Sequence, residues 1–248
     1  LFRMDTAELS AVRWEEMDIV FQKAMNALSP VHRIGTFISD IYLRHRPDAS
    51  RAEAKEVVEK MLGMVNLPPR VFNLYPHELS GGMMQRVSIA MSLLFNPELL
   101  IMDEATTALD VVTQNQILDE IVRLEEQMGI TRIMITHDIS VVARTCRNVA
   151  VLYAGSLLES GPTDQVLVDP VHPYTRGLID SFPKFESGER KPLLSIGGSL
   201  PDLSDPPAGC VFAPRCKYAC ERCMREKPQL RCVNSHQVAC HLAGGEEK

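Results

Sequence analysis

Leu99-Leu100-Ile101-Met102-Asp103-Glu104 is a short, wholly apolar run that ends in two adjacent carboxylates. It follows Asn96-Pro97, and a run of this length after such a break reads as a strand buried on both faces, the kind found in parallel sheets. In open α/β sheets ligands bind at the carboxyl edge of the strands, where these two acids would stand. There the first acid could hold Mg²⁺, directly or through water, and the second could orient or deprotonate a water attacking a phosphate. Taken alone, the run fits equally a strand whose acids simply meet solvent.

Patterns on either side extend the same architecture. Arg51 to Val65 places Val57, Val58, Met61, Leu62 and Val65 at helical spacing among charged residues and stops before Pro68-Pro69. Ile117, Leu118, Ile121, Val122 and Met128 mark a second helix, ending at Gly129. Thr131 to Thr136 and Val149 to Tyr153 are β-branched runs that read as further strands. Strand, helix, strand, helix, strand makes an α/β layer fold. Beyond about Gly161, recurrent prolines interrupt any long periodicity, so an irregular appended domain is expected there.

Three other features share the chain with the Asp-Glu pair. Leu79-Ser80-Gly81-Gly82 precedes a helix expected to start near Met83, where free amides and a hydroxyl could receive a phosphate; an ordinary glycine turn with a serine cap reads the same way. Ala108-Leu109-Asp110 follows the acids, and His137 lies just past a strand end, a position that suits a solvated or core histidine as well as a phosphate contact.

Order and spacing narrow these readings. Ser80-Gly81-Gly82-Met83-Met84-Gln85-Arg86 resembles the ABC signature motif, Leu99 to Glu104 the Walker B strand, Ala108-Leu109-Asp110 the D-loop, His137 the switch histidine, and Ile19-Val20-Phe21-Gln22 the Q-loop. All five stand in the order of the ABC transporter ATPases. Met83-Met84 ahead of Gln85 departs from the general signature, which has Gln directly after the second Gly; peptide-importer ATPases commonly carry the longer form.

The resemblance implies a P-loop NTPase core that binds ATP and Mg²⁺ and works as a head-to-tail dimer. Ser80, Gly81, Gly82 and Gln85 would face ATP bound mainly by the opposite subunit. Gln22 would sense Mg²⁺ and the membrane partner, Asp103 would support Mg²⁺, Glu104 would act on the attacking water, His137 would contact the γ-phosphate, and Asp110 would bridge the subunits. The family also needs a Gly-x-x-x-x-Gly-Lys-Ser/Thr loop to hold the β- and γ-phosphates. No such stretch occurs in these 248 residues, nor does the strand with its adenine-stacking aromatic. The expectation is therefore a core lacking its N-terminal strands, with hydrolysis by this piece alone in doubt.

Pro170-Val171-His172-Pro173-Tyr174-Thr175-Arg176 and Gly209-Cys210-Val211-Phe212-Ala213-Pro214-Arg215-Cys216 resemble segments of ATP-binding subunits serving dipeptide, oligopeptide and nickel importers. Such subunits lie on the cytoplasmic face of the inner membrane as peripheral proteins. Their partners would be a homologous but non-identical ATPase, transmembrane permeases and, indirectly, an external peptide-binding protein.

Cys210, Cys216, Cys223 and Cys240, with five, six and sixteen residues between them, match members of this family that carry a [4Fe–4S] cluster. In a cytosolic chain, six cysteines within the last 39 residues suit metal ligation better than disulfides. Arg215, Lys217, Arg222 and Arg225 would offset the cluster's charge. A zinc site is the other reading: Cys220 and Cys223 have zinc-knuckle spacing, and Cys232, His236 and His241 could complete it.

Composition sets the outer bounds. With 45% hydrophobic and 23% charged residues the chain is of the globular class. Its longest apolar runs fall far short of the roughly 18 residues a membrane span needs, and Leu1 to Val12 has no signal-peptide character. A net charge of −6 argues against nucleic acid as partner. From Cys210 onward, however, seven Lys and Arg stand against four Asp and Glu.

The expected divisions are 1–29, the remainder of the ATP-binding core with the Q-loop; 30–95, a helical signature subdomain; 96–160, the RecA-like core; and 161–248, the importer-type C-terminal domain. Two rival functions remain open. One is a non-hydrolytic binding module that pairs with a partner ATPase or permease. The other is an ABC protein of translation or DNA repair, which the His-Pro-Tyr segment and the absence of a basic face disfavour.

Overall fold

In the computed structural model, which describes residues 3–22, 28–106, 109–181 and 196–244, the apolar run at 99 is the middle strand of a parallel sheet. The sheet has the order β1 (Met17–Val20), β2 (Leu99–Asp103), β3 (Thr131–Ile135). Register pairs Val20 with Met102, and Asp103 with Ile135. These strands belong to the first of two compact units, residues 1–137, and the second unit runs from 138 to 248.

Helices of the first unit follow from local chemistry. α1 (Thr6–Val12) begins at Asp5, whose carboxylate accepts from the amides of Ala7 and Glu8 in a capping box. α2 (Ile34–His45) and α3 (Arg51–Met64) then lead to α4 (Gly81–Ser92), with Ser50 and Ser80 capping α3 and α4. α5 (Val111–Met128) is capped by Asp110 and ends at Gly129, whose φ of +69° is the left-handed conformation that glycine adopts without cost.

One core serves α2 to α5 and the sheet. Ile34, Ile38, Val58, Leu62, Val87, Leu100, Met102, Ile117, Ile121 and Leu124 are buried in a single cluster, with Val57 and Met61 packed at its rim. The last turn of α3 leaves carbonyls that need partners. Arg86 of α4 donates to Val65 O at 3.0 Å and pairs with Glu120 of α5, while Arg123 donates to Met64 O at 2.8 Å. Three helices are thereby tied at one point.

The second unit departs from the sequence reading. Val149 to Tyr153 is a strand as expected, but β4 (Asn148–Tyr153) is not a further member of the parallel sheet. After α6 (Ile139–Thr145) it turns through Ala154-Gly155 and pairs antiparallel with β5 (Ser156–Pro162), because so tight a connection permits only a hairpin. α7 (Thr163–Val168), α8 (Pro173–Asp180) and α9 (Glu221–Arg225) follow. Two three-residue strands, β6 (Arg231–Val233) and β7 (His236–Val238), complete a second sheet of order β4-β5-β7-β6. The proline-rich region is thus organised on a sheet.

Asp18 of β1 is driven strongly out of the ordinary carboxylate range: burial raises its pKa to about 7 against a helping bond from Ile19 N–H. The folded state then holds a proton that the unfolded chain has already released, so stability falls as pH rises from about 4 to about 7. Asp18→Asn is expected to remove that slope and to raise stability at pH 8 by on the order of 2 kcal/mol. Urea titrations at pH 5 and pH 8 check it.

Candidate functional site: the carboxyl edge of the parallel sheet and a four-cysteine pocket

The parallel register brings three expected residues together. Gln22 lies two residues beyond Val20, Glu104 two beyond Met102, and His137 two beyond Ile135, so all leave the same sheet edge. Glu104 N–H still bonds Ile135 O at 2.9 Å, yet its φ is +46°, a left-handed conformation unusual for a residue with a Cβ. Such strain persists where surrounding structure enforces it, and it gathers at functional sites.

That turn presents the carboxylate to both neighbours. Gln22 Nε2 donates to Glu104 Oε2 at 2.5 Å, and His137 Nδ1 stands 3.1 Å from Oε1. The histidine side chain is 73% exposed and the glutamate 28%, so the cluster faces outward. Asp103 ends β2 beside it, half-buried.

Ser80, Gly81 and Asp110 form a second group. Ser80 Oγ accepts from Met83 N–H at 3.3 Å, and Asp110 Oδ1 from Thr113 N–H at 2.9 Å. The two turns press close: a Cβ on Gly82 would lie 2.7 Å from Thr113 Cγ2. Glycine at 82 is therefore a packing requirement between the start of α4 and the start of α5, a role that sequence alone did not reveal. Bonds from the Thr113 amide and hydroxyl hold the Asp110 carboxyl below its usual range. Ala108 lies outside the described residues.

Gln85 does not join this group. The signature resemblance has it facing nucleotide, but it sits one turn further along α4, on the buried side, 4% exposed. Its Nε2 has no hydrogen-bond partner among the described residues. Met83 takes the place directly after the glycines, and the helical period sets Gln85 on the buried side of α4.

In the second unit, Cys210, Cys216, Cys223 and Cys240 line one small pocket with His172, Phe212 and His241. Gly209 makes the convergence possible. Cys210 N–H bonds Cys223 O at 2.8 Å, and a Cβ at 209 would come within 2.3 Å of that oxygen. Cys240 arrives just past β7, where Ala239 N–H bonds Leu158 O, and Arg231 gathers the carbonyls of Cys240, His241 and Ala243. Burial raises the Cys210 and Cys216 thiols and lifts Cys223 to about 11. The cysteines are free of disulfides.

Among the described residues no three His, Cys, Asp or Glu side chains are grouped as ligands of a single ion. The residues of the zinc reading are dispersed. Cys220 Sγ is 3.4 Å from Cys223 Sγ, but Cys232 is exposed on β6, His236 bonds the buried Glu159 at 2.9 Å, and His241 Nε2 is 2.9 Å from Glu226 O. The arginines expected to offset a cluster are also engaged. Arg222 and Arg225 pair with Glu226 and Glu221, and Arg215 donates to the carbonyls of Ile196 and Gly197.

The His-Pro-Tyr segment packs onto this pocket. Tyr174 lies 5.3 Å from Phe212 and 4.7 Å from Tyr153, centroid to centroid. His172 caps α8 by accepting from Tyr174 N–H through Nδ1 at 3.0 Å, and burial lowers its pKa to about 4.

The burial of Gln85 yields a test. Gln85→Met removes an unsatisfied buried donor at nearly constant shape and is expected to stabilise the chain by about 1 kcal/mol, measured by chemical denaturation. A loss of stability would show that the amide is needed where it is.

The chain matches two family models: ABC transporter over residues 4–107, and the oligopeptide/dipeptide transporter C-terminal region over residues 158–223. It is 43% identical to the dipeptide transport ATP-binding protein DppD of Caldanaerobacter subterraneus over 98% of this chain and 74% of that one. To the oligopeptide transport ATP-binding protein OppD of Bacillus subtilis it is 41% identical, over 98% of this chain and 68% of that one. The dimeric ATP-binding cassette MJ0796, in a post-hydrolysis state bound to ADP and Pi, superposes with a TM-score of 0.58 at 30% identity, covering 65% of this chain and 68% of that one. Parallel sheet edge, glycine turn and His-Pro-Tyr segment therefore have one origin: the chain belongs to the ABC transporter ATP-binding proteins, in the oligopeptide and dipeptide branch.

Proposed function

We propose that this chain hydrolyses ATP to drive a peptide importer, as a peripheral subunit on the cytoplasmic face of the inner membrane, paired head to tail with a homologous ATPase and seated on two permeases. The meeting of Gln22 and His137 on Glu104 carries this reading. Both side chains are turned toward an anionic oxygen, the chemistry a phosphate oxygen also offers, so the residues fit ATP and Mg²⁺. No helix among the described residues is long and apolar enough to cross a membrane, which accords with a peripheral seat.

Asp103 and Gln22 would hold Mg²⁺, which when bound neutralises charge on the phosphate oxygens. Glu104 orients the attacking water and takes its proton. His137 is placed to reach the γ-phosphate, Ser80, Gly81 and Gly82 to meet ATP across the dimer, and Asp110 to bridge the two subunits. Gln85 acts only through packing. These 248 residues include no Gly-x-x-x-x-Gly-Lys-Ser/Thr loop, so the clamp on the β- and γ-phosphates is not among the residues given roles here.

The four-cysteine pocket is proposed to hold a [4Fe–4S] cluster that fixes the loop-rich second unit. Four free thiols on one pocket suit this group. A cluster binds each thiolate at a separate iron, and it supplies the positive charge that buried thiolates require.

Two measurements test these readings. Glu104→Gln, introduced in the gene in its own cell, is expected to abolish uptake of labelled di- and oligopeptides; undiminished uptake overturns the assigned role, and loss of nickel accumulation alone would move the cargo to nickel. Iron, acid-labile sulfide and zinc analysis of anaerobically purified chain is expected to give about four iron and four sulfide per chain. Zinc without sulfide overturns the cluster.

A further inference from the structure

Glu159 is a fully buried carboxylate on β5, and its partners are all supplied by the second unit. It accepts from Val171 N–H at 2.8 Å, from His172 N–H at 3.1 Å, and faces His236 Nδ1 at 2.9 Å. Two consecutive backbone amides of the His-Pro-Tyr segment are thereby locked to the sheet. The lock leaves little freedom to the side chain that follows: His172 is 1% exposed, with its ring 5.9 Å from that of Phe212.

The tautomer of His172 is set by its own cap. Nδ1 accepts the Tyr174 amide proton, so a neutral ring carries its hydrogen on Nε2. That donor belongs to a ring that lines the pocket shared by Cys210, Cys216, Cys223 and Cys240. Four cysteines share that wall with apolar Pro173, Phe212, Ala213 and Leu242, so sulfur is the main acceptor the pocket offers to the ring.

We propose that His172 is a positioning residue of the cysteine site, donating Nε2–H to a sulfur of the group held there. The inference rests on the cluster reading above. It explains physically what the His-Pro-Tyr segment does, since Glu159 fixes the backbone, Tyr174 N–H fixes the tautomer and ring, and Nε2–H meets sulfur. Hydrogen bonds to cluster sulfurs stabilise the more negative, reduced state and so raise the reduction potential. They also slow the loss of iron, as outer hydrogen bonds do at metal sites generally.

Two variants separate the cap from the donor. His172→Asn keeps an acceptor for Tyr174 N–H but is too short to reach the pocket. His172→Gln places an amide N–H near the Nε2 position and gives up the cap. Midpoint potentials are read by dithionite titration followed by electron paramagnetic resonance, and cluster lability by iron transfer to a chelator, on the full chain purified anaerobically. His172→Asn is expected to have a lower potential and at least threefold faster iron loss, with His172→Gln close to wild type in both. Wild-type values in His172→Asn, or an equal drop in both variants, overturn the role given to His172 while leaving the cluster in place. A wild-type chain without iron and sulfide overturns the cluster reading, and this inference with it.

Discussion

Everything at the nucleotide edge depends on the register of three parallel strands. A parallel sheet sends all its strands out at one edge; Gln22 and Glu104 stand two residues past the paired Val20 and Met102, and His137 three past their partner Met134, which makes the three neighbours though they are far apart in sequence. A shift of one residue in β1 or β3 would turn either side chain away from Glu104. The buried cluster of Leu100, Met102, Ile117, Ile121 and Leu124 holds β2 against α5 and so fixes that register. The left-handed backbone at Glu104 is the local strain that this packing sustains.

Contact between the two unlike turns extends the constraint. Gly82 admits Thr113, so the start of α4 and the start of α5 approach one another, and Ser80 and Asp110 cap the two helices side by side. Further along α4, Arg86 and Glu120 tie the same helices together beneath the last turn of α3. A displacement of α4 would therefore be felt at β2 and its two acids. The second unit solves a different problem. Its sheet is small and its loops long, and it relies on buried polar anchors, Glu159 foremost, and on the convergence of four cysteines.

Much of the first unit was legible because its signals are local. β-branched and apolar runs at 99 and 131, the helical spacing at 51–65 and the stop at Gly129 each state their own structure, and the structure has strands or helices at all four. The edge residues were legible through resemblance, their motifs standing in the order the family uses. The burial of Gln85 was not legible because a motif records spacing and not facing: only the packing of α4 shows that this residue lies on its inner side. The strand at β4 was legible but its sheet was not, since a β-branched run has the same pattern in either, and only the tight turn at Ala154-Gly155 pairs it with β5. β5 to β7 were missed because their pairing is set by long-range bonds such as Ala239 N–H to Leu158 O. Glu159 gave no sequence signal, since its meaning lies in partners from two other segments.

Glu104 is held by Gln22 and His137, and binding of ATP with Mg²⁺ is expected to draw both side chains away from it. The most direct measurement is a structure of the complete transporter, determined by electron cryomicroscopy with ATP and Mg²⁺ bound in a hydrolysis-arrested state. Gln22 Nε2 is expected to leave Glu104 as Gln22 Oε1 turns to the Mg²⁺ site, His137 to turn to the γ-phosphate, and a water to take their place on the carboxylate. Glu104 still bonded to Gln22 beside bound ATP would contradict this exchange.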